Sequence, residues 1–214
     1  MILITGNLHK RDEFRRLMPE VNWETLGEWE RHRGLSSFET IEETGQSFAE
    51  NAIIKAKEGW KRTQSLCLAD DSGLCVDALN GAPGIFSARY VEGSDEDRYK
   101  AVLRALEGFS PHERGAAFHC VLAICGLSSS QEDEIKRTLP SPRLEWRDGC
   151  LLAFGQCEGS IREHPYGEGG FGYDPIFNLK DGRSFASITG EEKDKFSHRG
   201  LALQALRPLS KIFS

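Results

Sequence analysis

Short apolar runs alternate with longer amphipathic stretches along the chain, a pattern typical of a mixed α/β fold. Residues 1–4 form an apolar run that ends in a Thr-Gly-Asn turn cluster, which predicts a strand followed by a turn. Residues 8–18 carry apolar side chains near helical spacing and stop at Pro19, which predicts a helix with Lys10 in its first turn. A strand, a glycine turn and a helix in this order point backbone N–H groups at an anion, although ordinary connections share the pattern.

The same pattern divides the rest of the chain. Helices are predicted over residues 47–62, where Ser47 and Glu50 fit a capping box, from Ser94 to an end at Gly108, and over residues 201–212, where Pro208 kinks or ends the helix. Strands are predicted over residues 21–26, 66–69, 74–79, 116–124, 151–154 and 156–161, with Gly155 as a bend. Residues 27–37 are predicted to be irregular, and residues 128–143 to be an exposed loop or hairpin tip.

Two adjacent carboxylates, Asp70 and Asp71, follow the apolar run of residues 66–69 and precede Ser72 and Gly73. We expect them at the end of a buried strand, where the chain leaves the interior. Neighbouring side chains of a strand face opposite sides, so one carboxylate can hold a hard cation or a water while the other braces the loop. The alternative is an Asx-turn, in which Asp71 and Ser72 bond their own backbone.

A glycine loop at residues 167–175 formally matches G-x-G-x-x-G. The dinucleotide-binding interpretation requires a helix directly afterwards, and Pro175 excludes one. What is left is a loop with Phe171, Tyr173 and Asp174, groups that suit a flat base, and a strained turn with its rings in the core fits equally well.

Helical spacing leaves two further positions open. Asn51 and Lys55 are four residues apart, so they share one helix face, which looks into a site or into solvent. His198 and Arg199 come just before the last helix and serve either a site or the helix end.

Composition narrows the class of protein. The chain has 214 residues, enough for one domain with a sizeable core, and a net charge of -6. That balance and the lack of a basic stripe disfavour a nucleic-acid-binding module, so an anionic ligand needs a local cluster of Lys and Arg. The six cysteines form no C-x-x-C pair and are predicted to be buried thiols, which favours a reduced, cytoplasmic setting. Neither a signal peptide nor a membrane span is visible.

Taken together and in order, the motifs resemble the inosine triphosphate pyrophosphatase family, the Ham1-like pyrophosphatases of non-standard purine nucleoside triphosphates. The resemblance covers almost the whole chain and rests on residues 5–7 with Lys10, 42–45, 50–52, 55–56, 69–74, 81–85, 87–90, 118–120, 169–177, 191–193 and 197–200.

The resemblance implies hydrolysis of ITP, dITP and XTP to the monophosphate and pyrophosphate with Mg²⁺. Asp71 would be the general base and also a metal contact, helped by Glu42 or its neighbour Glu43. A carboxylate close to a metal and several lysines is expected to keep a low pKa. The residues implied to bind substrate are Thr5, Gly6, Asn7, Leu8, His9, Lys10, Lys55, Ser72, Phe171, Gly172, Tyr173, Asp174, Lys193, His198 and Arg199.

Within that set, the lysines would hold the phosphates, Phe171 to Asp174 would hold the base, and His198 and Arg199 would read its 6-oxo edge. The resemblance also implies one α/β domain over residues 1–214, with a long, curved mixed sheet and two lobes around a central nucleotide cleft, and a homodimer. The competing hypotheses are a pyrophosphatase for another base and a non-catalytic nucleotide sensor.

Overall fold

The computed structural model describes residues 1–36, 40–138 and 141–213, and over these residues the chain forms one sheet with flanking helices. The strands are β1 (Ile2–Ile4), β2 (Glu24–Thr25), β3 (Cys67–Val76), β4 (Gly115–Cys125), β5 (Leu144–Arg147), β6 (Cys150–Ile161) and β7 (Phe177–Asn178). The α-helices are α1 (Leu8–Leu17), α2 (Leu26–His32), α3 (Phe48–Thr63), α4 (Asp95–Ala105), α5 (Ser129–Thr138), α6 (Gly190–Asp194) and α7 (His198–Leu206).

The sheet is mixed, which confirms the predicted α/β class. Its strand order is β2-β1-β3-β4-β6-β5, and β7 pairs with β6. Strand β1 runs parallel to β2 and β3, with Ile2 opposite Cys67, whereas β6 runs antiparallel to β5 and β7. Parallel neighbours require crossover connections, and helix α1 lies in the one from β1 to β2. Helices α2 and α3 lie in the connection from β2 to β3, which pairs with the other edge of β1.

The chain divides into two compact units. The first unit comprises Met1–Asp71, Val121–Gly155 and Leu201–Ser214, and the second comprises Ser72–Cys120 and Gln156–Gly200. In the first unit, small residues of α3 such as Ala52 and Ala56 pack on Ile4 and Ala69 of the sheet. In the second unit, Val102 and Leu106 lie in one cluster with Phe118 and Phe177. Each unit therefore has its own apolar core.

Strand β3 corrects the expectation for the paired carboxylates. The strand does not end at Asp70 but runs through Asp70, Asp71, Ser72 and Gly73 to Val76, so the Asx-turn alternative is wrong as well. Both carboxylates are buried inside the sheet. Since buried carboxylates need partners, their stability must come from cations elsewhere in the chain.

Several element predictions are also wrong. The predicted loop at residues 128–143 contains helix α5 (Ser129–Thr138), whose Ile135 is buried. The predicted irregular segment at residues 27–37 overlaps helix α2, which ends at His32. Residues 37, 139 and 140 of these two segments lie outside the described residues. Residues 151–154 and 156–161 belong to one strand, β6, which continues through Gly155. Ser47 caps α3 as predicted, but the Glu50 carboxylate accepts from the N–H of Gln46, so the capping box is incomplete.

Two of the six cysteines are joined. Cys125 and Cys150 form a disulfide, so the prediction of buried thiols is wrong for this pair. Of the four free cysteines, Cys67, Cys120 and Cys157 are buried and Cys75 is half-buried. Burial raises the pKa of Cys67 and of Cys157 to about 11, so both stay protonated thiols at neutral pH.

Across the described ranges, no helix combines the length and the apolar character that crossing a membrane would require.

Candidate active site

The start of α1 is an exposed helix N-terminus. Asn7 is its N-cap: its side-chain oxygen accepts from the N–H groups of His9 (2.9 Å) and Lys10 (3.2 Å). The N–H of Asn7 in turn donates to the Thr5 hydroxyl at 3.1 Å. Residues 6–9 are exposed, with Leu8 62% accessible, so this positive end of the helix is open to an anion.

The two carboxylates of β3 have different partners. Asp70 is fully buried and forms an ion pair with Lys10 of α1. Asp71 Oδ1 accepts from Lys55 Nζ at 3.0 Å, and its Oδ2 accepts from Asn51 Nδ2 at 3.3 Å. Lys10 comes from α1, whereas Lys55 and Asn51 come from α3, as expected for side chains that alternate along a strand. The helix face that carries Asn51 and Lys55 therefore points towards Asp71, and not into solvent.

Lys55 ties three parts of the first unit together. Its Nζ donates to Glu43 Oε1 (2.5 Å), to the Asp70 carbonyl (2.8 Å) and to Asp71 Oδ1 (3.0 Å), which uses all three ammonium protons. Glu43 can bond to Lys55 because the segment at residues 42–45 packs on the start of α3. There the Gly45 N–H donates to Asn51 Oδ1, and a Cβ on Gly45 would lie 2.6 Å from Glu50 Cβ.

Burial decides the electrostatics of Asp71. Burial raises the pKa of its carboxyl above the ordinary range, and Lys55 and Lys10 oppose this increase only in part. The low pKa expected from the sequence concerns a carboxylate close to a metal, so it stays a prediction for that state. Burial alone would lower the pKa of Lys55, but Asp71, Glu43 and Asp70 outweigh it and raise that pKa. Lys55 is thus firmly cationic, and Asp71 is a stronger base than an exposed aspartate.

A second group of site residues lies in the second unit around a buried ion pair. Lys193 Nζ is 2.6 Å from Asp174 Oδ2, and the same oxygen accepts from the Phe171 N–H at 2.9 Å. Lys193 Nζ also lies 4.8 Å from the centroid of the Phe171 ring and 5.1 Å from that of Phe185. The lysine charge is thereby matched by a carboxylate and surrounded by aromatic faces.

Aromatic rings continue from this pair to the start of α7. Phe118 stacks on Phe185 (centroids 5.7 Å apart) and on the His198 imidazole (4.8 Å, 12° between planes). Next to His198, Arg199 is only 1% exposed, and its Nη2 donates to the Ser72 hydroxyl at 2.9 Å. The guanidinium direction is therefore set by a residue of β3.

Tyr173 has a different environment from Phe171. Its hydroxyl donates to the Ser87 carbonyl at 2.8 Å, its ring is buried, and burial raises the pKa of its phenol. This geometry makes Tyr173 an anchor that fastens the glycine loop to the core of the second unit.

Comparison with known proteins identifies the family. The model of the Ham1 family matches residues 1–209. The chain belongs to the Ham1 family.

Individual Ham1 relatives agree over almost their full lengths. The "dITP/XTP pyrophosphatase" of Idiomarina loihiensis is 41% identical over 99% of this chain and 98% of its own length. A Ham1 protein of known structure from Coxiella burnetii is 36% identical, covers 98% of this chain and 97% of its own, and has a TM-score of 0.76. The "Nucleoside-triphosphatase / dITP/XTP pyrophosphatase" of Mycobacterium abscessus is 39% identical, covers 97% of this chain and 98% of its own, and has a TM-score of 0.68. The family resemblance and the fold class inferred from the sequence are thus confirmed.

In this Ham1-family chain, the expected site residues fall into two sets. The residues of the first unit that are predicted to bind the phosphates or the metal are Thr5, Gly6, Asn7, Leu8, His9, Lys10, Glu43, Lys55 and Asp71. The structure adds Asp70 through its ion pair with Lys10, and we call this group the phosphate set after its predicted role. The expected site residues of the second unit are Ser72, Phe171, Gly172, Tyr173, Asp174, Lys193, His198 and Arg199, and we call this group the base set after the predicted role of most of its members. Glu42 is exposed, whereas its neighbour Glu43 bonds to Lys55. Lys193, for which contact with the phosphates is predicted, forms an ion pair with Asp174 in the second unit.

Sequence reasoning missed roles for three residues. Asn51 holds Asp71, Phe118 stacks on His198, and Ser87 anchors Tyr173. The spacing of Asn51 from Lys55 carried a signal, because both project from one helix face. Phe118 and Ser87 lie in stretches that carry the family resemblance, but their residue types fit ordinary core and loop positions, so the sequence does not indicate these contacts.

Proposed function

We propose that the chain hydrolyses non-standard purine nucleoside triphosphates, namely ITP, dITP and XTP, to the monophosphate and pyrophosphate. The observation that carries this proposal is the buried Asp71 carboxylate, clamped by Lys55 and Asn51 in a chain related to dITP/XTP pyrophosphatases. A nucleotide sensor needs a pocket but has no use for a carboxylate held in this way.

The charge of the phosphate set argues for a divalent cation. Lys10 and Lys55 face the carboxylates of Asp70, Asp71 and Glu43, which leaves these five groups with one net negative charge. Such a set repels a triphosphate until a divalent cation is added. Mg²⁺ fits because it takes oxygen ligands, one or two carboxylates with the remainder from phosphates and water. Asp71 and Glu43 would hold it, and when bound it would neutralise charge on the pyrophosphate leaving group.

The described residues include no cluster of three or more metal-ligating side chains. Two carboxylates are too few to saturate Mg²⁺, so phosphate oxygens of the substrate complete the set in this proposal. The metal and the nucleotide are therefore expected to bind together.

The chain's own groups then have distinct tasks. In this proposal, Asp71 takes a proton from the attacking water. Lys55 orients Asp71 through Oδ1 and Asn51 does so through Oδ2. Lys10 and the N–H groups at the start of α1 attract the triphosphate.

The base set supports a preference for 6-oxo purines. Arg199, oriented by Ser72, donates hydrogen bonds, and hypoxanthine and xanthine present an acceptor at position 6. Adenine presents a donor there, and a buried donor without a partner costs about 1–3 kcal/mol. That cost corresponds to about 5- to 150-fold discrimination against dATP.

The proposal also includes a homodimer and a cytoplasmic location, where nucleoside triphosphates are made and used. Light scattering coupled to size exclusion tests the dimer. Fractionation of the native cells tests the location.

Pyrophosphate release with Mg²⁺ at alkaline pH tests the central proposal. The panel is dITP, XTP, dGTP, dATP and dUTP, with Asp71→Asn as the inactive variant and Asp77→Asn, exposed beyond the end of β3, as its matched control. We expect release from dITP and XTP, a loss of several orders of magnitude in Asp71→Asn, and normal activity in Asp77→Asn. Release from another base contradicts the specificity, and nucleotide binding without any turnover favours the sensor.

A further inference from the structure

We propose that Asp95, at the start of α4, is a positioning residue that holds the glycine loop in its base-binding conformation. This inference rests on the proposed function and concerns how the base set is built. The Asp95 carboxylate accepts a hydrogen bond from the Gly172 N–H at 2.7 Å.

Two consecutive N–H groups of the loop are held by carboxylates. Asp174 takes the N–H of Phe171 at 2.9 Å, and Asp95 takes the N–H of Gly172. The first carboxylate belongs to the loop itself, whereas the second comes from a helix 77 residues earlier. Asp95 therefore ties the backbone of the loop to helix α4, in addition to the side-chain anchor that Tyr173 provides.

The loop needs such a contact because its backbone is unusual. Gly170 and Gly172 have φ angles of 75° and 63°, in the left-handed region that favours glycine. A Cβ on Gly170 would lie 2.2 Å from Asp174 Oδ2, whereas the space beside Gly172 is open. Glycine has many accessible conformations, so a hydrogen bond to the Gly172 N–H restricts the most adaptable point of the loop.

Asp95 is not occupied with capping its own helix. Ser94 and Asp97 form a complete capping box at the start of α4. The second oxygen of Asp95 accepts from Arg98 Nη2 at 2.5 Å, and Arg98 Nη1 donates to the Gly93 carbonyl at 2.9 Å. The carboxylate is thus oriented by Arg98 and directed at the loop.

The hydrogen bond from the Gly172 N–H to Asp95 also restrains Phe171. The Gly172 N–H and the Phe171 carbonyl belong to one planar peptide group, so holding the N–H also orients the Phe171 backbone and the direction of its ring. Loss of the Asp95 bond should therefore weaken contacts to the base while leaving contacts to the phosphates unchanged.

Steady-state kinetics on three variants test the inference. Asp95→Ala removes the acceptor, Asp95→Asn keeps a neutral one, and Glu96→Ala is the matched control, since Glu96 is exposed in the same helical turn and pairs with Lys100. We expect the KM for dITP to rise about tenfold in Asp95→Ala and about two- to threefold in Asp95→Asn, because hydrogen bonds to ionised groups are about twice as strong as neutral ones. We expect kcat to stay within about twofold and Glu96→Ala to match the wild type.

Inorganic tripolyphosphate, used as a competitive inhibitor, separates positioning from general damage to the fold. Its inhibition constant should be the same in all three variants and the wild type, because it lacks a base. An unchanged KM for dITP in Asp95→Ala, or a parallel rise in the tripolyphosphate constant, overturns the inference. If Asp95→Ala does not fold, Asp95→Asn decides by the same two criteria. A wild type inactive on dITP overturns the proposed function and this inference with it.

Discussion

Replacing Lys55 with methionine should destabilise the chain strongly at alkaline pH and much less at acidic pH. Methionine keeps the length and the apolar stem but removes the ammonium that bonds to Glu43, the Asp70 carbonyl and Asp71. Breaking a buried ion pair by removing one partner costs about 3–5 kcal/mol. Because the Lys55 and Glu43 side chains remain 11% and 23% exposed, we expect the lower end of that range, about 3 kcal/mol at pH 8.

The pH dependence follows from the carboxylates. The folded-state pKa of Lys55 is raised, so its stabilisation is fully present below its unfolded value of 10.5 and does not change between pH 5 and 8. The folded-state pKa of Asp71 is also raised, and loss of the lysine charge raises it further. A carboxyl with a raised folded pKa destabilises the fold as pH rises through that pKa, so the penalty for Lys55→Met should shrink towards pH 5.

Urea unfolding of the metal-free protein at pH 5 and pH 8 measures the effect. Lys57→Met is the matched control, because Lys57 is exposed on the same helix. The double variant Lys55→Met with Asp71→Asn should regain much of the loss, since no uncompensated charge is then left at position 71. An equal loss at both pH values, or no recovery in the double variant, would refute the reasoning.

Three further predictions concern the metal, the base and the fold. Glu43→Gln should raise the Mg²⁺ concentration needed for half-maximal activity about tenfold, whereas Glu42→Gln should leave it unchanged; a Mg²⁺ titration of both variants would decide. Arg199→Ala should narrow the preference for dITP over dATP, and an unchanged ratio of kcat/KM values would mean that another residue reads position 6. Glu28→Gln should cost about 1 kcal/mol at pH 7, because Glu28 accepts from the Thr25 N–H in the cap of α2. The pKa of Glu28 is lowered to about 2, so its stabilisation is present above pH 4.5 and is lost as pH falls towards 2. Acid unfolding of the wild type and of Glu28→Gln would show this difference.

Elements with a strong apolar period were predictable from the sequence. The strand at residues 1–4, the helices that follow Ser47 and Ser94, and the long strand around Phe118 lie where the pattern indicates. Helix α5 was not predictable in this way, because only Ile135 among its described side chains is buried and the rest is polar. The continuity of strand β3 through residues 70–73 was missed because adjacent aspartates are unfavourable in a buried strand unless cations compensate them.

The sequence by itself determined the α/β class and, through the order of its motifs, the family, and it supplied the predicted members of both sets. The tertiary structure alone decided how those residues pair: Asp70 with Lys10 across 60 positions, Glu43 instead of Glu42 with Lys55, and Asp174 with Lys193. The physical reason is that a short-range pattern records which side chains are polar, whereas a pKa or an ion pair depends on burial and on charges brought close by the fold. The raised pKa of Asp71 and the hydrogen bond from Gly172 to Asp95 both depend on the fold in this way.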